Sequence, residues 1–333
     1  MNKIFFKNKS LLLTGGTGSF GRAFVDYLLR NKIPLKKIIV YSRDELKQFE
    51  MNKIFNENKY SNIRYFIGDV RDKERLRVAL NDVDIVIHAA ALKQVPIAEY
   101  NPFEFIKTNV LGAQNLIESC LDSPVKNVIT LSTDKASSPI NLYGATKLCS
   151  DKLFVAANNV KGNKDIKFSI VRYGNVMGSR GSVLETFLQQ KKSGILSITD
   201  KKMTRFNINM NEAINFVIYS LINLKGGEIF VPKIPSFYII DLARAVSEDC
   251  KIKIIGVRPG EKIHEEMISS YDSNKTVDLK QCYAILNKNN FKFYKNCKFL
   301  PPDFSYKSNT NKKFLNVIQL KKIVKDLHSI NLA

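Results

Sequence analysis

Two short stretches hold residue types able to do acid–base chemistry on a polar substrate. Thr133, Asp134 and Lys135 stand in a row, and Tyr143 and Lys147 follow at an i, i+4 spacing. On a helix that spacing puts the phenol and the ammonium one turn apart on one face. A cation there favours the phenolate and draws the Tyr143 pKa down from about 10, giving a base that works near neutral pH. Alone, Tyr-x-x-x-Lys is an ordinary helix surface. The Thr-Asp-Lys run upstream and a nucleotide motif near the start of the chain turn it into a catalytic candidate.

These side chains need a strand and a helix to hold them. Residues 127–131 form an apolar, β-branched run that predicts a buried parallel strand, with Thr133, Asp134 and Lys135 leaving its carboxyl end. The turn at Pro139-Ile140-Asn141 then opens a helix whose Ala145, Leu148, Leu153 and Ala156 recur at helical spacing.

At the other end, residues 10–13 make a short buried strand that runs into Thr14-Gly15-Gly16-Thr17-Gly18-Ser19-Phe20-Gly21 and a helix through Ala23, Val25 and Leu28. In this strand–turn–helix setting Gly15 supplies the tight turn, Gly18 lets backbone approach a pyrophosphate, and Gly21 lets helix pack on strand. The pyrophosphate sits at the helix N-terminus, where free N–H groups favour an anion. A second strand (37–41) ends at Ser42-Arg43-Asp44. Arg43 there suits a 2′-phosphate and tilts the cofactor toward NADP, while Asp44 keeps NAD open. A third strand (63–67) delivers Gly68-Asp69-Val70, with Asp69 able to accept from an adenine amino group or simply to cap a turn. A fourth (84–88) runs into Ala89-Ala90-Ala91, small enough for close approach of a cofactor, and its His88 reads as a core histidine. A helix over 102–120 carries Asn109 and Gly112, and a sixth strand (168–171) ends in Arg172-Tyr173-Gly174-Asn175.

Strands alternating with helices predict an α/β, Rossmann-like, doubly wound parallel sheet with its ligands at the strands' carboxyl ends. We expect a cofactor-binding domain over 1–175 and a smaller interleaved α/β substrate-binding region over 176–285. A Lys-rich C-terminal extension follows over 286–333, with a connection at 287–311 and an amphipathic helix at 312–328 using Leu315, Ile318, Ile323 and Leu327. In the middle region, Arg180, Arg205 and Arg258 fall in predicted loops, and bidentate arginines suit phosphates.

Composition bounds the partners. No apolar run approaches the roughly 18 residues of a membrane span, and the start lacks the long apolar region of a signal peptide. The odd count of five cysteines, without paired spacing, predicts reduced thiols in a cytoplasm and neither a disulfide framework nor a metal site. The formal charge of +21 invites nucleic acid, and residues 287–333 hold ten lysines against Asp303 and Asp326. No nucleic-acid motif accompanies them, so the charge reads as a solvated face or one that attracts a diphosphate.

The runs Thr14–Gly21, Tyr41–Glu50, Ala91-Leu-Lys-Gln-Val-Pro96, Ser132–Lys135, Asn141-Leu-Tyr-Gly-Ala-Thr-Lys147 and Arg172–Val176 resemble the extended short-chain dehydrogenase/reductases. Within them the chain is most similar to the inverting UDP-N-acetylglucosamine 4,6-dehydratases, the type that opens pseudaminic acid synthesis. The resemblance covers about residues 10–285. It implies bound NADP and a redox cycle within one sugar. Tyr143, helped by Thr133 and Lys147, takes the 4-hydroxyl proton; Lys135 removes the C5 proton; Asp134 protonates the departing 6-hydroxyl; C5 is then reprotonated on the opposite face. Retaining sugar dehydratases usually carry Glu at the place of Lys135, and membrane-bound relatives lack the tyrosine. A lysine flanked by cationic groups can be a neutral base near pH 7.

The same match implies that Gly15, Thr17, Gly18, Ser19, Phe20, Gly21, Arg43, Asp69, Val70, Ala89, Ala90, Lys93, Asn109, Tyr143 and Lys147 hold NADP. Lys93, Tyr143, Asn175, Arg180, Arg205, Arg258 and Glu261 would hold UDP-N-acetylglucosamine. It further implies a homo-oligomer, a hexamer, with neither nucleic acid nor membrane as partner. Two positions depart from the family pattern: Asn207 where an aromatic follows Phe206, and Ser137-Ser138 in place of a pair such as Cys-Asn. A nucleotide-sugar 4-epimerase, or a non-catalytic NADP-sensing or RNA-binding protein on the same fold, are the alternatives. Neither needs the Asp134–Lys135 pair.

Overall fold

The computed structural model describes residues 3–179 and 181–331. Six parallel strands come first: β1 Ser10–Thr14, β2 Lys37–Ser42, β3 Ile63–Ile67, β4 Ile85–His88, β5 Asn127–Thr133 and β6 Lys167–Tyr173. Their spatial order is β3-β2-β1-β4-β5-β6, and the parallel strand Ile229–Pro232 extends the sheet beyond β6. Successive side chains of a strand point to opposite faces, which explains why the runs are apolar throughout. Leu11, Leu13, Val40, Ile87 and Ile129 enter one core, while Leu12, Ile39, Val86, Val128 and Ile170 enter the other. A strand buried on both faces cannot alternate polar and apolar residues.

The order reverses between β1 and β4, which both pair with parallel neighbours. That reversal opens a crevice at the carboxyl ends, where ligands of open α/β sheets bind. Helix α1, Ser19–Arg30, starts there with Gly18 as its N-cap and no side chain capping it, so its first N–H groups face the crevice.

Beyond β6 the chain leaves the sheet and returns to it. Strands Cys282–Ile285, Thr276–Asp278 and Lys298–Phe299 add antiparallel to its far edge. The expected Lys-rich connection at 287–311 contains an edge strand and a second short strand, Tyr306–Lys307, which pairs with Glu266–Ile268. Strands of two residues carry too little pattern to be read from sequence. A separate core of Leu184, Phe187, Leu196, Phe237, Leu242, Leu320 and Val324 underlies residues 177–254 and is closed by the C-terminal helix Val317–Asn331. This helix starts later than expected, because Asn316 and Gln319 cap each other's backbone N–H groups at 3.0 and 2.9 Å. The shift turns Leu320 inward and leaves Ile318 78% exposed.

The expected helix over 102–120 is also interrupted: Pro102–Phe105 and Gly112–Leu121 are α-helical, and Ile106–Leu111 between them is a π-helix.

Candidate active site

A cavity of about 710 Å³ runs along the carboxyl ends of β1 to β6, within the range of about 300–1,000 Å³ usual for ligand pockets. Gly15, Thr17, Gly18, Ser19, Phe20, Gly21, Arg43, Asp69, Val70, Ala89, Ala90 and Lys93 line one end. Thr133, Lys135, Tyr143, Lys147 and Asn175 line the other. The dinucleotide expectation fits this cradle. Gly15 has φ +65°, and a Cβ on it would lie 2.8 Å from the Ala90 nitrogen. A Cβ on Gly21 would lie 2.3 Å from the Gly16 carbonyl oxygen. Both positions need the bare backbone, one for its turn and one for helix-on-strand packing.

The acidic residues near this end are engaged. Asp44 caps the helix Glu45–Ile54 by accepting from the Lys47 N–H at 3.0 Å. Asp69 accepts from the Arg71 N–H and guanidinium at 2.9 and 2.7 Å, and lies 3.6 Å from Arg43. Asn109, expected on the cofactor, is instead buried. It exchanges hydrogen bonds with the Leu92 backbone at 2.9 Å and donates to Thr146 at 3.1 Å, bracing the loop after β4. His88 is a core histidine, 2.7 Å from the Thr14 hydroxyl, and burial drives its pKa down to about 3.

At the other end β5 delivers Thr133, and a short 3-10 turn carries Asp134 and Lys135. The helix Leu142–Val160 starts beside them, capped by Asn141, which accepts from the Gly144 N–H at 2.8 Å. A Cβ on Gly144 would lie 2.3 Å from the Lys135 carbonyl oxygen. Glycine at this helical position is what lets Tyr143 reach the strand exit. Beneath the site, Asp151 accepts from Ser132 at 2.7 Å and from Arg172 at 3.0 Å, and Arg172 also donates to the Met267 carbonyl at 3.1 Å. This buried group ties β5, β6 and the helix together.

The electrostatics differ from the sequence expectation in two ways. Burial raises the Tyr143 pKa to about 12, with Lys135 and a hydrogen bond to Thr133 pulling it back only in part. Lys147, expected to depress it, is itself buried and held below its usual value. Lys135 is also not surrounded by cations. Its Nζ lies 3.2 Å from Asp134 Oδ1 and 3.1 Å from Glu265 Oε1, and donates to Asn175 Oδ1 at 3.4 Å. Burial opposes its charge, but the two carboxylates outweigh it and hold the ammonium above its ordinary pKa. Asp134 is fully buried, and burial raises its pKa, with Lys135 opposing and Glu265 adding to the rise.

Glu265 was not foreseen. Nothing in its spacing links it to residue 135; only the fold brings it there.

Arg205, Arg258 and Glu261, expected on the nucleotide half of the substrate, lie outside this lining. Arg205 is on the strand Thr204–Ile208, not in a loop, because all five residues of that strand are buried. It is 5% exposed and donates to the Thr204 and Ile263 carbonyls at 2.8 and 3.1 Å. It also faces Glu261 at 3.5 Å and Glu265 at 3.6 Å. Arg258 is exposed in a loop, where its carbonyl accepts from the Glu261 N–H at 3.0 Å. Arg180 lies outside the described residues. Of the departures, Asn207 is buried opposite Asn175 in a parallel strand pair, and Ser138 adopts φ +46° while donating to Glu266 at 2.7 Å.

Residues 11–287 match the family model described as polysaccharide biosynthesis protein. The chain belongs to this family. It is 60% identical over 84% of its length to a protein of Campylobacter jejuni serotype O:23/36 named UDP-N-acetylglucosamine 4,6-dehydratase (inverting), 83% of which is covered. A UDP-glucose 4-epimerase of Rickettsia conorii is 42% identical over 84% of this chain and 83% of that protein. The solved structure of Pen from Bacillus thuringiensis superimposes with a TM-score of 0.88 at 36% identity, covering 97% of this chain and 99% of that one. Among the described residues no group of side chains could hold a metal ion, and no helix is long and apolar enough to cross a membrane.

Proposed function

We propose that this chain is an inverting UDP-N-acetylglucosamine 4,6-dehydratase, a hydro-lyase. The observation that carries this reading is the fully buried Asp134 carboxyl 3.2 Å from Lys135, which lines the cavity together with Tyr143 and Thr133. Oxidising a sugar at C4 needs a base; eliminating water across C5 and C6 needs a second base and an acid. Both sets stand at one end of this cavity.

Tyr143, hydrogen-bonded to Thr133, takes the proton of the 4-hydroxyl. The nicotinamide of NADP supplies hydride transfer out of and back into the sugar. The resulting 4-keto group acidifies C5, so Lys135 can remove that proton while Asp134 protonates the 6-hydroxyl as it leaves. Lys147 would hold NADP, and Lys93 and Asn175 would hold the sugar. Arg205, Arg258 and Glu261 together with Arg180 would take the uridine diphosphate. Arg43 and Asp44 both line the cavity, and NADP is favoured over NAD because the Asp44 carboxylate is already engaged by the Lys47 N–H at its helix cap.

The same reading includes a cytoplasmic homo-oligomer, a hexamer, with no nucleic-acid or membrane partner, feeding pseudaminic acid or a related surface glycan. The free state of all five cysteines accords with a reducing compartment. Exposed Ile97, Tyr100 and Phe103 offer an apolar contact for a second copy.

A 4-epimerase is the second reading, prompted by the Rickettsia relative. It would use Tyr143 and leave Asp134 and Lys135 idle. Incubation with UDP-N-acetylglucosamine separates the two: a dehydratase releases a product lighter by one water, an epimerase an isomer of equal mass.

A further inference from the structure

Glu265 carries a buried charge that the elimination described above does not use. It is 1% exposed, and its carboxylate touches Lys135 at 3.1 Å and Arg205 at 3.6 Å. Its backbone is fixed by Ser308, fully buried in the C-terminal extension. The Glu265 N–H donates to the Ser308 hydroxyl at 2.9 Å, and the Ser308 N–H returns a bond to the Glu265 carbonyl at 2.8 Å. Ser308 in turn contacts the Thr204 hydroxyl at 2.7 Å. Two elements distant in sequence thus hold this carboxylate against the lysine.

We propose that Glu265 is a positioning residue for water elimination, its carboxylate compensating Arg205 so that one proton stays shared between Lys135 and Asp134. The inference rests on the dehydratase reading. With Glu265 and Arg205 cancelling, the pair is neutral in two forms: ammonium with carboxylate, or amine with carboxylic acid. Moving one proton from Lys135 to Asp134 converts the first into the second, and the second is the reactive form. The C5–H bond then breaks with its proton going to the Lys135 amine, and its electrons form the C5–C6 double bond. The C6–O bond breaks as Asp134 gives its proton to that oxygen, and water leaves. The pair returns to ammonium and carboxylate, so atoms and charge balance.

Glu265 matters because, without it, Arg205 would keep only the partly exposed Glu261 as a counter-charge, and Arg205 with the nearby Lys262 would drive the shared proton off. Asp134 would then have none to give. The charged or titratable groups facing Glu265 and Lys135 are Asp134, Arg205, Lys262 and Tyr143, with Glu261 and His264 against Arg205 and Glu266 against Lys262. Burial raises the Glu265 carboxyl, but Lys135 and Arg205 outweigh it and keep it ionised.

The test compares wild type and Glu265→Gln with UDP-N-acetylglucosamine across pH, reading water loss and, by absorbance of the reduced nicotinamide, the preceding oxidation at C4. Removing a nearby negative charge lowers the pKa of the pair. The alkaline limb of water loss should therefore move to lower pH by about one unit or more, a drop of about tenfold at pH values above the wild-type limb. Oxidation at C4 should persist, and Glu265→Asp should restore the limb. An unmoved limb overturns the inference, as does equal loss of both half-reactions. If Glu265→Gln does not fold, Lys262→Gln decides: removing the nearby positive charge should move the limb to higher pH, and an unmoved limb overturns the inference. A wild type that leaves the sugar unaltered overturns the dehydratase reading and this inference with it, whereas an active wild type beside an unshifted Glu265→Gln overturns this inference alone.

Discussion

Lys135 Nζ lies 3.2 Å from the fully buried Asp134 carboxylate, so the proposed base and acid of the elimination are neighbours both in sequence and in space. Their tasks can be separated. Asp134→Asn keeps the shape and removes the proton donor. It should slow water loss by about 10²–10⁴-fold, the usual contribution of a general acid, while Lys135 still exchanges the C5 hydrogen with solvent. Proton NMR of recovered substrate checks this, and undiminished dehydration would remove Asp134 from the role.

Gly144 gives a prediction that runs against helix propensity. Alanine in a helix interior is favoured over glycine by about 1 kcal/mol, and the position lies within the helix Leu142–Val160. Its Cβ would nevertheless meet the Lys135 carbonyl oxygen at 2.3 Å. Backbone against backbone cannot yield as a flexible side chain can. Gly144→Ala should therefore destabilise by about 1–3 kcal/mol and displace Tyr143 from the strand exit, with turnover falling at least about tenfold. Thermal unfolding and turnover together read the result.

His88 sets an acid limit on stability. In the fold its pKa is about 3, chiefly through burial, against about 6.5 in an unfolded chain. Between those values the unfolded state takes up a proton that the folded state refuses. The stabilisation is therefore complete above about pH 6.5 and is lost as the pH falls toward 3, a change of a few kcal/mol. His88→Gln should flatten that part of the curve in urea titrations at successive pH values. An unchanged slope would place the acid sensitivity elsewhere.

Much of the fold was legible because β1, β2, β4 and β5 are buried on both faces, and continuous apolar runs between turn residues record that directly. The glycine turn was legible too, since only glycine meets the backbone geometry that Gly15 and Gly21 require. What escaped reading was whatever depends on contacts distant in sequence. Arg205 looked like a loop residue, as an arginine inside a buried strand breaks the apolar pattern. Glu265 reaches Lys135 only through the pairing of Glu266–Ile268 with Tyr306–Lys307, strands too short to show a period. The Tyr143 pKa was misjudged for the same reason: sequence shows the lysine one turn away but not the burial that outweighs it.

The measurement that bears most directly on the account is incubation of the purified protein with UDP-N-acetylglucosamine in D2O, followed by mass spectrometry and proton NMR. The account predicts loss of one water, a single solvent deuteron at C5 and inverted configuration there, all abolished in Lys135→Ala. A C4 epimer that keeps its C5 hydrogen, or full turnover in Lys135→Ala, would contradict it.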